Sequence, residues 1–286
     1  MPLDPFVPLA QEMVTKNLSW LGPISFREHL AMHQFPKLGA WTYLSVDHKS
    51  RLQRSLKNNG IMVFRLGGRK GKTGTSFGLA KPPNGLDDFF LLDDECFGKN
   101  TVEEFDAKAG DNHLFGYLLI PNLTETSLVN LAFSSGILGR VLDIDTSQFS
   151  ALPATGQTEC NFSIRPHPAV EVEWQHHRGQ VEVDALFVEN KRRKRVFIME
   201  SKVGAPNSEL AKHKLVYPVE AVAPFVPDEF EIVPIYLKIE KQQRDLIFHF
   251  AICTLPDVRR QKVFVSELQL RSSYSLRMKD FAPAEL

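Results

Sequence analysis

From residue 124 to 142 the apolar side chains Leu128, Leu131, Ala132, Ile137, Leu138 and Leu142 recur at roughly helical spacing, which predicts one packed helix despite Gly136 and Gly139. After it the period changes to two. The segments FSIRPH, VEVEW, VEVDALFVE and RVFIMESKV read as strands, with turns at residues 176–179 and in the basic run KRRKR. Helical spacing returns in SELAKHKLVYPVEAV, where Pro218 is expected to kink or end the helix. EIVPIYLKIE and LIFHFAICTL then read as buried strands. The predicted order is helix, three strands, helix, two strands.

The N-terminal pattern is different. Ser25 and Glu28 have capping-box spacing, so a short helix starts there and ends by Pro36 and Gly39. Asp47 is expected to cap a second helix through about Asn58, with Leu52 and Leu56 buried and Lys49, Arg51, Arg54 and Lys57 outside. IMVFRL and TSFGLA form a predicted hairpin whose glycine-rich tip carries Arg69, Lys70 and Lys72. Helices followed by a basic-tipped hairpin predict a winged-helix-like α+β DNA-binding domain over residues 1–95. KPPNGLDDFFLLDDE has junction composition, and residues 96–286 make the second predicted domain.

Composition narrows the classes of function only slightly. Lys plus Arg equals Asp plus Glu at 34 each, so bulk charge favours neither nucleic acid nor membrane, and local clusters carry that information. The three cysteines are far apart and unpaired in sequence, which argues against a disulfide framework or a four-cysteine zinc site. No apolar run approaches the roughly 20 residues of a membrane span. A soluble, cytoplasmic protein is expected. GGRKGKT ends like a phosphate-binding loop, but Leu66 stands where its first glycine is required and no helix is predicted after it, so no nucleotide cofactor is expected. His29 and His33 lack the glutamate of a zinc-protease helix, and the spacing of Cys160, His167, His176 and His177 fits no standard zinc pattern.

The hairpin VEVDALFVENKRRKRVFIMESKVG poses the sharper question, because charges interrupt its apolar strands. Alternation puts Glu200 and Lys202 on one face of their strand and Glu182 and Asp184 together on a face of the neighbour. A suitable register brings both pairs together. Two carboxylates about 4 Å apart repel by roughly 4 kcal/mol at an effective dielectric near 20, so such a cluster needs a cation. Lys202 supplies one charge. A divalent ion supplies two and prefers oxygen ligands.

Asp184, followed after 15 residues by Glu200-Ser201-Lys202, resembles the D...(D/E)-x-K signature of the PD-(D/E)XK nucleases. The predicted element order is similar to their αβββαβ core with a mixed sheet, over about residues 120–255. Within that superfamily the chain looks most like a type II restriction endonuclease, an Mg²⁺-dependent hydrolase that cuts double-stranded DNA at a specific sequence. The resemblance implies that Asp184, Glu200 and the Ser201 carbonyl bind Mg²⁺, and that Lys202 positions or activates the attacking water. It implies accessory roles for Glu182 and Glu125, and for Lys214 and Tyr217, where a glutamine and a tyrosine follow the catalytic strand in many members; here Lys214 or His213 replaces the glutamine. Lys49, Arg51, Arg54, Arg69, Lys70 and Lys72 are the expected DNA-backbone contacts. A palindromic site would imply a homodimer. The competing expectations are a structure-selective repair, recombination or phage-defence nuclease, and an inactive DNA-binding regulator.

Overall fold

A computed structural model describes residues 3–69, 72–107, 114–120, 122–145, 152–190, 193–204 and 208–281. The chain is a mixed α/β protein built on one large mixed sheet. Its N-terminal part runs α1 (Val7–Thr15), β1 (Trp20–Ser25), α2 (Phe26–Met32), α3 (Ala40–Leu44), α4 (Arg54–Asn58), β2 (Met62–Arg69) and β3 (Lys72–Ala80). Next come β4 (Phe90–Leu92), α5 (Asp93–Phe97), β5 (Glu103–Glu104) and α6 (Phe115–Leu118). The remainder is α7 (Glu125–Ser134), α8 (Ile137–Leu142), β6 (Ala154–Ile164), β7 (Trp174–Glu189), β8 (Arg195–Val203), β9 (Glu209–Ala211), α9 (His213–Val222), β10 (Glu231–Gln242), β11 (Asp245–Thr254) and β12 (Gln269–Met278).

Several expected elements change on folding. The Ser25 cap is present, its hydroxyl accepting from Glu28 N at 3.3 Å. The helix expected from Asp47 is broken into a 3-10 turn at Lys49–Arg51 and the short α4, although Leu52 and Leu56 are buried as expected. Gly136, at φ +88°, divides the helix expected over residues 124–142 into α7 and α8, because that left-handed backbone cannot continue a helix. No turn forms at residues 176–179. Instead β7 is one 16-residue strand that absorbs Arg178 at φ +46° where its register with β6 slips, and VEVEW contributes only Trp174 to it. SELAKHKLVYPVEAV begins as a strand, β9, before becoming α9, and Pro218 sits inside that helix.

Strand order in the main sheet is β1-β3-β2-β7-β8-β10-β11-β12-β5, with β6 also paired to β7. β7 and β8 are antiparallel, while β8 and β10 are parallel and joined through α9. A parallel pair needs such a crossover, and its strands are covered on both faces. Phe197 and Met199 of β8 pack with α7 and α8, whereas Val196 and Ile198 pack with Val219 of α9. A third core draws Phe6, Phe64 and Phe77 together with Trp174, Leu215 and Tyr217. The N-terminal elements and α9 therefore share apolar packing.

β7 is the spine on which the sheet divides. β6 follows one edge of it from Trp174 to Leu186. On the other edge β2 meets it at Gly67↔His177 and β8 joins from Ala185↔Met199 onward. Between those two junctions residues 178–184 have no strand partner on that edge among the described residues. A fork results, and the charged residues of the hairpin lie at it.

The β2 junction depends on glycine. Gly67 has φ +71°, and a Cβ there would fall 2.5 Å from the His177 carbonyl oxygen and 2.6 Å from Gly179 Cα. Gly67→Ala is expected to lower unfolding stability by at least ~1–3 kcal/mol, since overpacking and a disallowed φ act together. Gly68→Ala meets the same carbonyl only at 3.5 Å and should be nearly silent. Urea unfolding of the two variants checks this, with a matched loss in both contradicting the steric account.

Candidate active site

The backbone ladder between β7 and β8 ends at Ala185↔Met199. One step further, Asp184 stands across from Glu200, and cross-strand partners share a face of the sheet. The Asp184 side chain replaces the missing ladder bond: its Oδ2 accepts from Ser201 N at 2.8 Å. The parallel register aligns Tyr236 with Glu200 and Lys238 with Lys202, so these residues occupy the same face as well. Alternation along two strands and the parallel pairing to a third bring Asp184, Glu200 and Lys202 together.

Glu200 is the most deeply placed of the three, its side chain 2% exposed. Lys202 Nζ lies 3.0 Å from Glu200 Oε1, and Lys214 Nζ, reaching from α9, lies 3.3 Å from the same oxygen. Both ammoniums therefore face this buried oxygen at ion-pair distance, with Lys202 within hydrogen-bond reach. Burial raises the Glu200 pKa above the ordinary glutamate range; Lys214 and Lys202 oppose that rise, and Asp184 adds to it. Burial alone would lower Lys202, but Glu200, Glu125 and Asp184 outweigh it and hold the ammonium above the usual lysine range. Lys202 is therefore protonated across the physiological range.

The accessory residues divide. Glu125, the first residue of α7, places Oε2 3.6 Å from Lys202 Nζ, and its Oε1 accepts from Val203 N at 3.4 Å. Lys214 belongs to the cluster through Glu200. Tyr217 points elsewhere, donating its hydroxyl to the Arg65 carbonyl at 3.3 Å, and burial raises its pKa. Glu182 is exposed on β7 and lines a cavity of about 290 Å³ beside Lys214.

The expected DNA-contact residues do not form one surface with equal freedom. Lys49 is ion-paired to Asp87, and Arg51 lies 3.6 Å from Asp47 with its guanidinium over Trp41. Arg54 is exposed. The backbones of Arg69 and Lys72 pair with each other, whereas their side chains and all of Lys70 lie outside the described residues.

Among the described residues no group of three or more His, Cys, Asp and Glu is arranged to hold a metal ion. The hard donors Asp184, Glu200 and the Ser201 carbonyl nevertheless match the chemistry of Mg²⁺, which commonly takes one or two carboxylates and leaves the other positions to water and phosphate oxygens. Lys202 and Lys214 now supply the countercharge.

Sequence reasoning missed a second polar cluster on this face. Lys238, 3% exposed, donates to Ser208 Oγ at 2.6 Å and lies 3.3 Å from Asp93 Oδ2; Asp93 Oδ1 accepts from the Tyr236 hydroxyl at 3.1 Å. The signal was a charge inside EIVPIYLKIE, the same kind of interruption that marked Glu200. His29, one of the histidines weighed above, is buried with Nε2 2.7 Å from the Pro5 carbonyl oxygen.

Residues 111–268 match the family model described as a domain of unknown function, DUF6997, and the chain belongs to that family. The matched region runs from before α7 into the 3-10 turn that precedes β12, so it contains Asp184, Glu200, Lys202 and Lys214. No curated protein and no solved structure matches the chain. Among the described residues no helix is long and apolar enough to cross a membrane.

Two outcomes follow from the charge arrangement. The two ammoniums are about a quarter exposed and can turn to water, whereas the Glu200 carboxylate cannot. Replacing Lys202 and Lys214 together by methionine should therefore destabilise more than Glu200→Gln, by up to about 3–5 kcal/mol, the range for stranding a buried charge; denaturant midpoints decide the order. Glu200 also binds its proton more tightly folded than unfolded. Metal-free stability should accordingly fall as pH rises from the ordinary glutamate range through the raised Glu200 pKa. Mg²⁺ should offset that fall, adding ~2.7 kcal/mol at 100 times its dissociation constant. Thermal melts across pH, with and without Mg²⁺, test both signs, and an equal Mg²⁺ response in Asp184→Asn and Glu200→Gln would remove the metal assignment.

Proposed function

We propose that this protein is an Mg²⁺-dependent DNA endonuclease, of the type II restriction kind, that hydrolyses phosphodiesters of double-stranded DNA. The observation that carries the reading is the convergence of Asp184 and Glu200 on one face beside Lys202, with Asp184 bonded across the strands to Ser201 N. The order α7/α8, β6, β7, β8, β9, α9, β10 supports it: with β9 set aside in a separate two-stranded sheet with β4, it is similar to the αβββαβ arrangement of PD-(D/E)XK nucleases. Asp184, Glu200 and the Ser201 carbonyl would hold Mg²⁺, which supplies Lewis-acid polarisation of the scissile phosphate.

The chain's own groups divide the remaining work. A lysine held protonated by three carboxylates is a poor proton acceptor, so Lys202 acts by orienting the attacking water and stabilising charge that builds on the phosphoryl oxygens. Glu125, 3.6 Å from the Lys202 ammonium, is its second carboxylate partner beside Glu200. Lys214 compensates Glu200, taking the place of a neutral glutamine with a full charge. The fork in the sheet leaves this edge open to a substrate. A homodimer is part of the proposal if the recognised sequence is palindromic.

A second reading, a DNA-binding protein without cleavage, draws on one observation: the two lysines already neutralise Glu200. Incubation with plasmid DNA plus Mg²⁺, and again with EDTA, separates the readings. Discrete Mg²⁺-dependent fragments are expected; a smear indicates unspecific or structure-selective cutting, and retention without cutting indicates the regulator. Lys202→Ala should lower the cleavage rate by at least about 10²-fold, the scale of losing one positioned charge donor, while DNA retention stays near wild type. Cutting at the wild-type rate by Lys202→Ala would refute the assigned chemistry.

A further inference from the structure

The cavity beside Lys214 is built from flat side chains and unsatisfied polar atoms. Trp41, 61% exposed, stands at its rim. Inside, His176, His213 and Tyr217 bring their rings together, with centroids 5.5 Å apart for His176–Tyr217 and 5.2 Å for His213–Tyr217. Phe162 stacks behind His176 at 4.4 Å and keeps that ring in place. Leu44, Val181 and Pro218 complete the apolar part of the lining around these rings.

Two of the polar groups have no partner. His213 is 5% exposed and its Nδ1 is buried without a hydrogen bond, as is Nε of Arg65. Both residues line the cavity, together with the amide of Gln180. Arg65 is otherwise engaged, NH1 donating to Ser45 Oγ at 3.3 Å and its carbonyl accepting from Tyr217. His176 Nδ1 lies 3.2 Å from the Cys160 carbonyl oxygen. Burial lowers His213 to about 3 and His176 to about 4, so both rings are neutral at physiological pH. An unpaired donor on Arg65 and an imidazole nitrogen on His213 therefore await a ligand that offers complementary groups along one edge.

Few ligand classes combine a flat, uncharged body with donors and acceptors around its rim. The volume, about 290 Å³, lies at the small end of ligand pockets and suits a single ring system rather than a chain. The mouth is shared with the candidate active site, since Lys214 and Glu182 line the cavity while Lys214 also reaches Glu200. We infer that this cavity receives one nucleobase, turned out of the nucleic acid whose backbone lies at Asp184, Glu200 and Lys202. The inference rests on the nuclease reading for the source of the base. Extruding a base requires a pocket that restores its stacking and edge hydrogen bonds, and the aromatic walls, Arg65 and His213 provide those two kinds of contact. Tyr217 is thereby a wall of the base pocket, and its hydroxyl is held by the Arg65 backbone rather than by the charged cluster.

The probe is 2-aminopurine deoxyriboside 5′-monophosphate, titrated into the full chain and followed by quenching of its fluorescence. Saturable quenching is expected, relieved by deoxyadenosine but not by deoxyribose 5-phosphate. Trp41→Ala, at an exposed position that leaves the core intact, should weaken binding about tenfold, the effect of losing one stacking partner, and His213→Leu should weaken it further. Absence of saturable quenching, displacement by the base-free sugar phosphate, or equal affinity in Trp41→Ala would overturn the proposal. The same preparations are assayed on plasmid DNA. Cutting without nucleotide binding removes the base pocket and keeps the nuclease, whereas nucleotide binding without cutting keeps the pocket and removes the nuclease.

Discussion

A carboxylate shut inside a sheet must find positive charge or lose its own, and the arrangement around Glu200 answers that constraint. Its side chain lies on β8 where β10 pairs along one edge, the β7 ladder has just ended on the other, and α9 packs on the same face. Water cannot reach it, so two ammoniums come to it, one from two residues along the same strand and one from α9. The crossover that makes β8 and β10 parallel is the same element that delivers Lys214. Topology and electrostatics are therefore coupled: moving α9 would both uncover the sheet and strand the charge.

The sheet also has to open near that charge for it to have chemical use. β7 carries β6 along one edge and changes partner along the other, from β2 to β8. Where the partners part, Asp184 trades a backbone ladder bond for a side-chain bond to Ser201 N. The trade satisfies an amide that would otherwise be orphaned and turns the carboxylate toward Glu200. Gly67 and Gly179 bring β2 close enough to close the other side of the gap, since a Cβ on either would meet backbone or ring atoms within 2.6 Å. The charged cluster and the aromatic cavity are neighbours because both lie beside that gap.

Shared packing ties the N-terminal elements to this site. Phe64 of β2 lies 5.8 Å from the His213 ring and 5.9 Å from Trp174, and Arg65 next to it lines the cavity. The family match begins at residue 111, so Trp41 and Arg65 come from outside the matched region while His176, His213 and Tyr217 come from within it. The base pocket proposed for this cavity would thus combine residues of the matched region with residues of the N-terminal portion that lies outside it.

Much of this was legible in the residue pattern. Short apolar runs marked β8, β10 and β11, a helical stripe marked α7 and α8, and charges interrupting an apolar hairpin marked Asp184, Glu200 and Lys202. These signals are local, because strand alternation and burial act over neighbouring residues. Breaks within elements were read less well: Gly136 splits a helix, β7 runs through a histidine-arginine-glycine stretch that resembles a turn, and SELAKHK starts as a strand. In each case tertiary pairing overrode local propensity. The convergence of Lys214 on Glu200, the fork between β2 and β8, the Lys238–Asp93 pair, and the meeting of Trp41 and Arg65 with His176 and His213 were not determined by sequence alone. Each joins elements distant along the chain, and only register, strand order and helix placement decide which of those side chains share a face and a space.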